Sequence, residues 1–137
     1  MLNKFIILAY LSNPLKLHLD NISGVNLFTG YGEGYVMVNR QRHERNLVVL
    51  RDRLVTEWQP AGFDELESGD FALLAKLEPE IVLLGTGGRL RFPRPELTRA
   101  LMEARIGLEV MDIRAACRTY NILAAEERKV AAALLFS

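Results

Sequence analysis

The sequence predicts an α/β domain in which an N-terminal antiparallel meander is followed by a β-α-β-α-β unit. In the first half, short stretches that alternate apolar and polar side chains are separated by turn residues. This period of two is typical of half-buried strands. In the second half, short continuous apolar runs alternate with longer helical stretches. That pattern favours buried parallel strands joined by crossover helices.

Length and charge exclude several classes of protein. A chain of 137 residues, half of them apolar, is long enough to bury a sizeable core. The formal net charge is zero, so no overall field exists to hold nucleic acid or an anionic membrane. We therefore expect no nucleic-acid partner.

The small number of thiol and imidazole side chains excludes further classes of protein. Cys117 is the single cysteine, which rules out an internal disulfide framework and any multi-cysteine metal site. His18 and His43 lie in different segments without metal-ligand spacing. We expect no metal and no cofactor, and the lone thiol suits a reducing compartment, which predicts a cytoplasmic location.

Residues 15–137 are predicted to form one domain, and residues 1–14 precede its first predicted strand. Residues 5–11 are apolar but far fewer than the about 20 needed to cross a bilayer, so no integral membrane segment is expected. The residues that follow lack the small-x-small pattern of a signal-peptide cleavage site. An extra edge strand and a start codon placed too far upstream are the alternatives for this segment.

The first-half strands are separated by turn residues, with a reversal at residues 39–43. The predicted strands are 15–20, 25–29, 35–39 and 44–50, and residues 54–58 extend the sheet. Gly30, Gly32 and Gly34 are not followed by a phosphate-binding helix, so a turn or bulge is the favoured interpretation. Trp58 with Pro60 is interpreted as a hydrophobic lid at a sheet end or, alternatively, as an anchor for a partner.

Two short helical stretches precede the first buried strand. Residues 63–66 begin the first, and residues 68–70 can cap the second. Phe71, Leu74 and Leu77 lie on one helical face.

The β-α-β-α-β unit begins with the apolar run 81–84, which Gly85–Gly88 is predicted to break. Pro95 is well placed as the first residue of a helix, and Gly107 as its stop. The next strand is 108–111, and Asp112 can cap the helix that follows. The final segment, 130–136, fits a helix by its alanine content and a buried strand by its short apolar run after a charged break. We favour the strand.

The loop Gly85–Gly88 is the first candidate site. It follows a predicted parallel strand, at the sheet edge where open α/β sheets bind ligands. Its glycines would let backbone N–H groups approach an anion, and Arg89, Arg91 and Arg94 would add guanidinium donors. Leu90 stands where a dinucleotide motif needs a third glycine, and the Gly-Lys-Ser/Thr of a P-loop is absent. The alternative is a tight strand exit with no ligand.

The start of the last helix is the second candidate. Arg114, Cys117, Arg118 and Asn121 share a helical face by spacing. Cys117 would need a base to act as a nucleophile, and no histidine lies in this half of the chain, so a small core residue is favoured. Asp112 is interpreted as a cap in preference to a general base. Arg118 and Asn121 are alternatively expected to tie loops to the sheet edge by hydrogen bonds.

Several stretches resemble one family of small uncharacterised domains. They include LKLHLD, TGYGEGYVMVN, EIVLLGTGGRLRFP and GLEVMDIRAACRTYNIL. The family includes the mitochondrial complex I assembly factor 3 and an adipogenesis-associated domain protein. The resemblance, which runs over residues 15–136, implies a three-layer α/β fold around a mixed central sheet and a chain that ends on a strand. It also implies that residues 1–14 are an atypical N-terminal extension. It implies no established enzymatic activity and no catalytic residues.

Two functions from different classes follow. The first is a non-enzymatic accessory or assembly domain that binds an unidentified protein partner, with homo-oligomerisation expected because sheet edges need covering. The second is a binder of a small anionic ligand, or an enzyme of unknown reaction. Its candidate binding residues are Gly85, Thr86, Gly87, Gly88, Arg91, Asp112, Cys117 and Arg118.

Overall fold

The computed structural model describes residues 24–136. The predicted strand 15–20, the extension 1–14 and His18 lie outside this range. The elements follow in the order β1 (Phe28–Gly32), β2 (Tyr35–Val38), β3 (Gln41–His43), β4 (Leu47–Leu50), β5 (Leu54–Val55), α1 (Ser68–Lys76), β6 (Ile81–Thr86), α2 (Arg99–Glu103), β7 (Gly107–Met111), α3 (Ile113–Ala125) and β8 (Val130–Leu135). Short 3₁₀ turns at Phe63–Glu65 and Pro95–Thr98 precede α1 and α2.

A mixed five-stranded sheet in the order β5-β4-β8-β6-β7 forms the centre of the fold. β8 lies in the middle, antiparallel to β4 and parallel to β6, and β7 continues the parallel half. All six residues of β8 are buried, which confirms the strand predicted for this segment. Its three alanines leave room for the layers on both faces, which explains why a sequence of high helix propensity forms a central strand.

Two apolar clusters cover the faces of this sheet and produce three layers. On one face, α3 and the three-stranded sheet β1-β2-β3 pack against alternate residues of the central strands, such as Leu83 and Leu134. On the other face, α1 and α2 pack against Val82, Leu84 and Leu135. The α/β fold class expected from the sequence is therefore confirmed.

The predicted meander is divided between two sheets. β2 turns back at Asn39 and Arg40 into β3, which pairs with it antiparallel. β4, predicted as the return strand, instead pairs with β8 and β5 in the central sheet. A register shift between Phe28 and Gly30 marks a bulge in β1, in agreement with the favoured interpretation of the early glycines.

Trp58 belongs to the buried core, and its indole N–H donates to the carbonyl oxygen of Asp70 at 3.1 Å. The alternative of a partner-facing Trp58 was therefore wrong. The cap of α1 is also displaced from the prediction. Glu67, one residue before the expected segment, is the N-cap, and its carboxylate and that of Asp70 form a reciprocal capping box.

Each of the three α-helices within residues 24–136 is followed, two residues after its end, by a non-glycine residue with left-handed backbone. Glu78, Arg105 and Glu127 have φ of 59°, 60° and 63°. Gly107 was expected to stop α2, but it is the first residue of β7. The stop is Arg105, whose N–H donates to the Met102 carbonyl while Ile106 N–H donates to Leu101. This is the Schellman pattern, in which glycine is usual.

Arg105→Gly is therefore expected to raise the free energy of unfolding by about 0.5–1 kcal/mol, because glycine adopts positive φ without steric cost. Ala104→Gly, one residue earlier where φ is −83°, is the matched control and should lower it by about 0.5–1 kcal/mol. Urea unfolding of both variants measures the difference. Two changes of the same sign would contradict the assignment of the helix stop to Arg105.

Candidate functional site

The strand β6 continues through the first half of the predicted loop. Gly85 and Thr86 pair in the sheet with Leu134 and Leu135 of β8, so the chain turns only at Gly87 and Gly88. Gly87 has φ +80° and is the one of the three glycines in this loop that requires a left-handed backbone. The prediction that Gly85 already breaks the strand was wrong, because Gly85 pairs within the sheet. Its missing side chain instead leaves room for the side chains of Leu134 and Ala116.

Thr86 organises the turn from a buried position. Its hydroxyl donates to the Arg89 carbonyl oxygen at 2.6 Å and accepts from the Arg91 N–H at 3.1 Å. The Arg91 guanidinium donates a hydrogen bond to the Thr86 carbonyl oxygen at 3.4 Å and lies 4.6 Å from the centre of the Phe63 ring. These bonds fix the path of the chain from Thr86 to Arg91.

The start of α3 adjoins this turn, as the sequence predicted. Ile113 N–H donates to the Gly87 carbonyl at 3.0 Å. The Asp112 carboxylate accepts from the Ala115 N–H at 2.9 Å, so Asp112 caps the helix. A carboxylate at a helix N-terminus also interacts favourably with the helix dipole.

Cys117 and Arg118 point in different directions from α3. Cys117 is buried, and burial raises the pKa of its thiol to about 12. At neutral pH it is a protonated core side chain, as the favoured interpretation held. Arg118 is exposed and donates to the Tyr31 hydroxyl at 3.0 Å. The structure therefore brings Gly87, Arg91 and Asp112 to one edge of the sheet, whereas Arg118 contacts the three-stranded sheet.

Asn121 ties α3 to β1 through a buried amide. It accepts from the Phe28 N–H at 2.9 Å and donates to the Phe28 carbonyl at 2.7 Å. Arg118 and Asn121 were expected to tie loops to the sheet edge; both bond instead to β1, an edge strand of the three-stranded sheet. Among residues 24–136 no group of three acidic, histidine or cysteine side chains is close enough to hold a metal ion.

Two surfaces expose apolar side chains to which the sequence had given no functional role. The first is the arginine–phenylalanine loop, residues 89–95, in which Leu90 is 50% and Phe92 69% exposed. The second is the α1–α2 groove, about 400 Å³ in volume, whose lining includes Ser68, Gly69, Ala72, Leu97, Ala100 and Glu103.

Met102 lies beside the α1–α2 groove and is 70% exposed. Its position in the sequence contained a signal. Met102 falls off the stripe that carries Leu97 and Leu101, so an outward apolar side chain could have been predicted from the helical spacing. Phe92 had no such signal, because no periodicity governs an irregular loop.

The fold is shared with solved bacterial proteins of the α/β class. A crystal structure of a protein from Bordetella parapertussis superimposes with a TM-score of 0.78 at 37% identity, covering 85% of this chain and 99% of that one. The chain matches the sequence profile described as "Protein of unknown function (DUF498/DUF598)" over residues 28–135. It belongs to that family.

Two relatives have names that refer to a role or a location. The NADH dehydrogenase (ubiquinone) 1 alpha subcomplex assembly factor 3 of Bos taurus is 33% identical over 125 residues, which are 90% of this chain and 62% of that protein. The "13 kDa major membrane protein" of Francisella tularensis is 27% identical over 88% of this chain and 99% of its own length. The family thus includes assembly factors, and this chain spans about half to two thirds of the length of the curated assembly factors that it matches. No helix within residues 24–136 is long and apolar enough to cross a membrane.

Gly85→Ala is expected to lower the free energy of unfolding by about 1–3 kcal/mol, as overpacking does. An added Cβ would lie 2.8 Å from Leu134 Cδ2 and 3.3 Å from the Cβ of Ala116 on α3. Gly88→Ala is the matched control, because nothing lies within 4 Å of its added Cβ, and it should change stability by less than about 0.5 kcal/mol. Thermal or urea unfolding distinguishes them, and equal effects would contradict the packing role of Gly85.

Proposed function

We propose that this protein is a non-enzymatic accessory or assembly domain that binds another protein through the α1–α2 groove. The observation that carries the proposal is the exposure of Met102. On the short helix α2, Leu101 is fully buried while its neighbour Met102 is 70% exposed. An apolar side chain at the edge of a groove is typical of a protein interface, and the flexible thioether of methionine adapts to a partner.

The groove has the other properties of a docking surface. Gly69 contributes no side chain, and nothing lies within 4 Å of the Cβ that a larger residue would place there. This leaves room for a partner's side chain against α1. Glu96, Arg99 and Glu103 surround the apolar centre with charges of both signs. A polar rim around an apolar centre is the usual anatomy of such interfaces.

The names of the relatives support this proposal. The matched proteins in animals are assembly factors, and assembly proceeds through protein partners. Because the chain spans only part of their length, the identity of the partner is part of the proposal. We also propose a cytoplasmic location, for which the single buried thiol of Cys117 is the supporting observation.

Binding of a small anionic ligand at Gly85–Gly88 is the alternative proposal, and it has weaker support. Thr86 bonds within the turn, Arg91 donates to Thr86 and stacks on Phe63, and Asp112 caps α3. Each of these polar groups thus has a structural role that needs no ligand. The feature that favours a ligand is the left-handed turn at Gly87 beside the Arg91 guanidinium.

Two glycine substitutions separate these functions. Gly69→Tyr fills the α1–α2 groove, and Gly88→Tyr places the same ring in the loop, where there is also open space. Tagged wild-type and variant chains are expressed in the native cells and their cross-linked partners quantified. Gly69→Tyr should reduce capture of the partner at least tenfold, and Met102→Ser about fivefold to thirtyfold, in the range of an interface anchor worth 1–2 kcal/mol.

The proposal requires that Gly88→Tyr capture the same partner as the wild type. Equal capture by all four chains would contradict a role of the groove. If phosphate, nucleotides or carboxylates raised the melting temperature of the wild type and of Gly69→Tyr but not of Gly88→Tyr, the alternative function would be supported instead. Circular dichroism of each variant confirms that the fold is retained.

A further inference from the structure

We propose that the arginine–phenylalanine loop docks the protein reversibly on an anionic lipid surface. Phe92 and Leu90 would enter the interfacial region, while Arg89 and Arg94 bind headgroup phosphates. This inference goes beyond the proposed function, because it concerns a different surface and does not depend on a protein partner.

The apolar part of the loop is unusually accessible. Phe92 is 69% and Leu90 50% exposed, and together with Met102 they are the large apolar side chains that residues 24–136 leave exposed. Aromatic and aliphatic side chains on a surface element contribute to membrane binding by burying their apolar area at the boundary between headgroups and acyl chains.

The charge of the loop differs from that of the whole chain. The net charge is zero, but residues 89–95 include three arginines and no acidic residue. Arg89 and Arg94 are exposed beside the apolar side chains. Arginine forms bidentate bonds with phosphate, and basic residues near an anionic leaflet strengthen binding over a Debye length. The loop is thus complementary in charge to an anionic lipid surface.

The loop is also organised before it binds. The Thr86 hydroxyl holds its first residues, through bonds with the Arg89 carbonyl and the Arg91 N–H. At its other end the Leu97 N–H donates to the Arg94 carbonyl at 3.0 Å, and Pro93 and Pro95 restrict the backbone. Little conformational entropy is therefore lost when the side chains of Leu90 and Phe92 insert.

The alternation of side chains favours lipid over a protein as the occupant. The exposed Arg89 and Arg94 flank the exposed Leu90 and Phe92 along the chain, so a partner must offer anionic and apolar groups side by side. An anionic bilayer does so everywhere. Two apolar side chains supply far less than the about 800 Å² per partner of a standard protein interface.

Sedimentation of the full-length chain with sucrose-loaded vesicles tests the proposal. We expect tighter binding to vesicles of 30% phosphatidylglycerol in phosphatidylcholine than to phosphatidylcholine alone, and loss of the difference in 0.5 M NaCl. Phe92→Ser should lower the partition coefficient about tenfold or more. Arg89→Gln with Arg94→Gln should lower it about fivefold for each arginine.

A matched control removes the same charge elsewhere. Arg42→Gln with Arg45→Gln alters two exposed arginines, one within β3 and one two residues after it, and should leave vesicle binding within about twofold of the wild type. Binding that is as tight for Phe92→Ser as for the wild type would overturn the proposal, because another segment would then hold the membrane. Absence of any preference for phosphatidylglycerol, or a soluble protein complex that needs Phe92 in a chain that binds no vesicles, would also overturn it.

Discussion

The buried amide of Asn121 joins α3 to the three-stranded sheet, and the arrangement of this whole layer against the central sheet depends on that connection. Its side chain satisfies both the N–H and the C=O of Phe28, at 2.9 and 2.7 Å. An unsatisfied buried backbone group costs about 1–3 kcal/mol, so the pair of bonds determines where β1 can lie. The adjacent Tyr120 reinforces this position, since its hydroxyl donates to the Asn26 carbonyl at 2.8 Å and its ring packs edge-on against Phe28.

The same use of polar side chains recurs at the edge of the central sheet. Thr86 holds the turn after β6, Asp112 caps α3, and Arg91 closes over Phe63. Each of these residues has the chemistry of a ligand-binding or catalytic group, and each is used to connect elements. The exposed apolar side chains therefore provide the better indication of function, and they lie beside the α1–α2 groove and on the arginine–phenylalanine loop.

The parts of the fold that could be predicted were those determined by local pattern. Residues 81–84 and 130–136 form continuous apolar runs because helices or sheets cover both faces of the central strands. Such a run is the sequence pattern of a strand that is buried on both faces. The N-cap of α3 at Asp112 was equally predictable from the sequence. In contrast, the helix stop at Arg105 has no sequence signal, because positive φ at a non-glycine residue is imposed by the chain that must enter β7.

Long-range pairing and the direction of side chains in loops were not predictable. The sequence of β4 predicts the return strand of a hairpin, but β4 pairs with β8, more than 80 residues later in the chain. No local sequence pattern indicates which strand will be the partner. For the candidate site, the sequence correctly predicted that the turn at Gly87 lies next to the start of α3 at Asp112. It did not reveal that Thr86 points inward or that Phe92 points outward, because these depend on the completed hydrogen-bond network of the turn.

The central claim is that the polar residues around α3, above all Asn121, join this helix to the three-stranded sheet. Asn121→Leu tests it most directly, because leucine has a similar volume but leaves both groups of Phe28 without their partner. We predict a loss of about 2–4 kcal/mol in the free energy of unfolding, with faster amide hydrogen exchange in β1–β3 than in β4–β8. An unchanged stability, together with the loss of a bound ligand or partner, would contradict the claim.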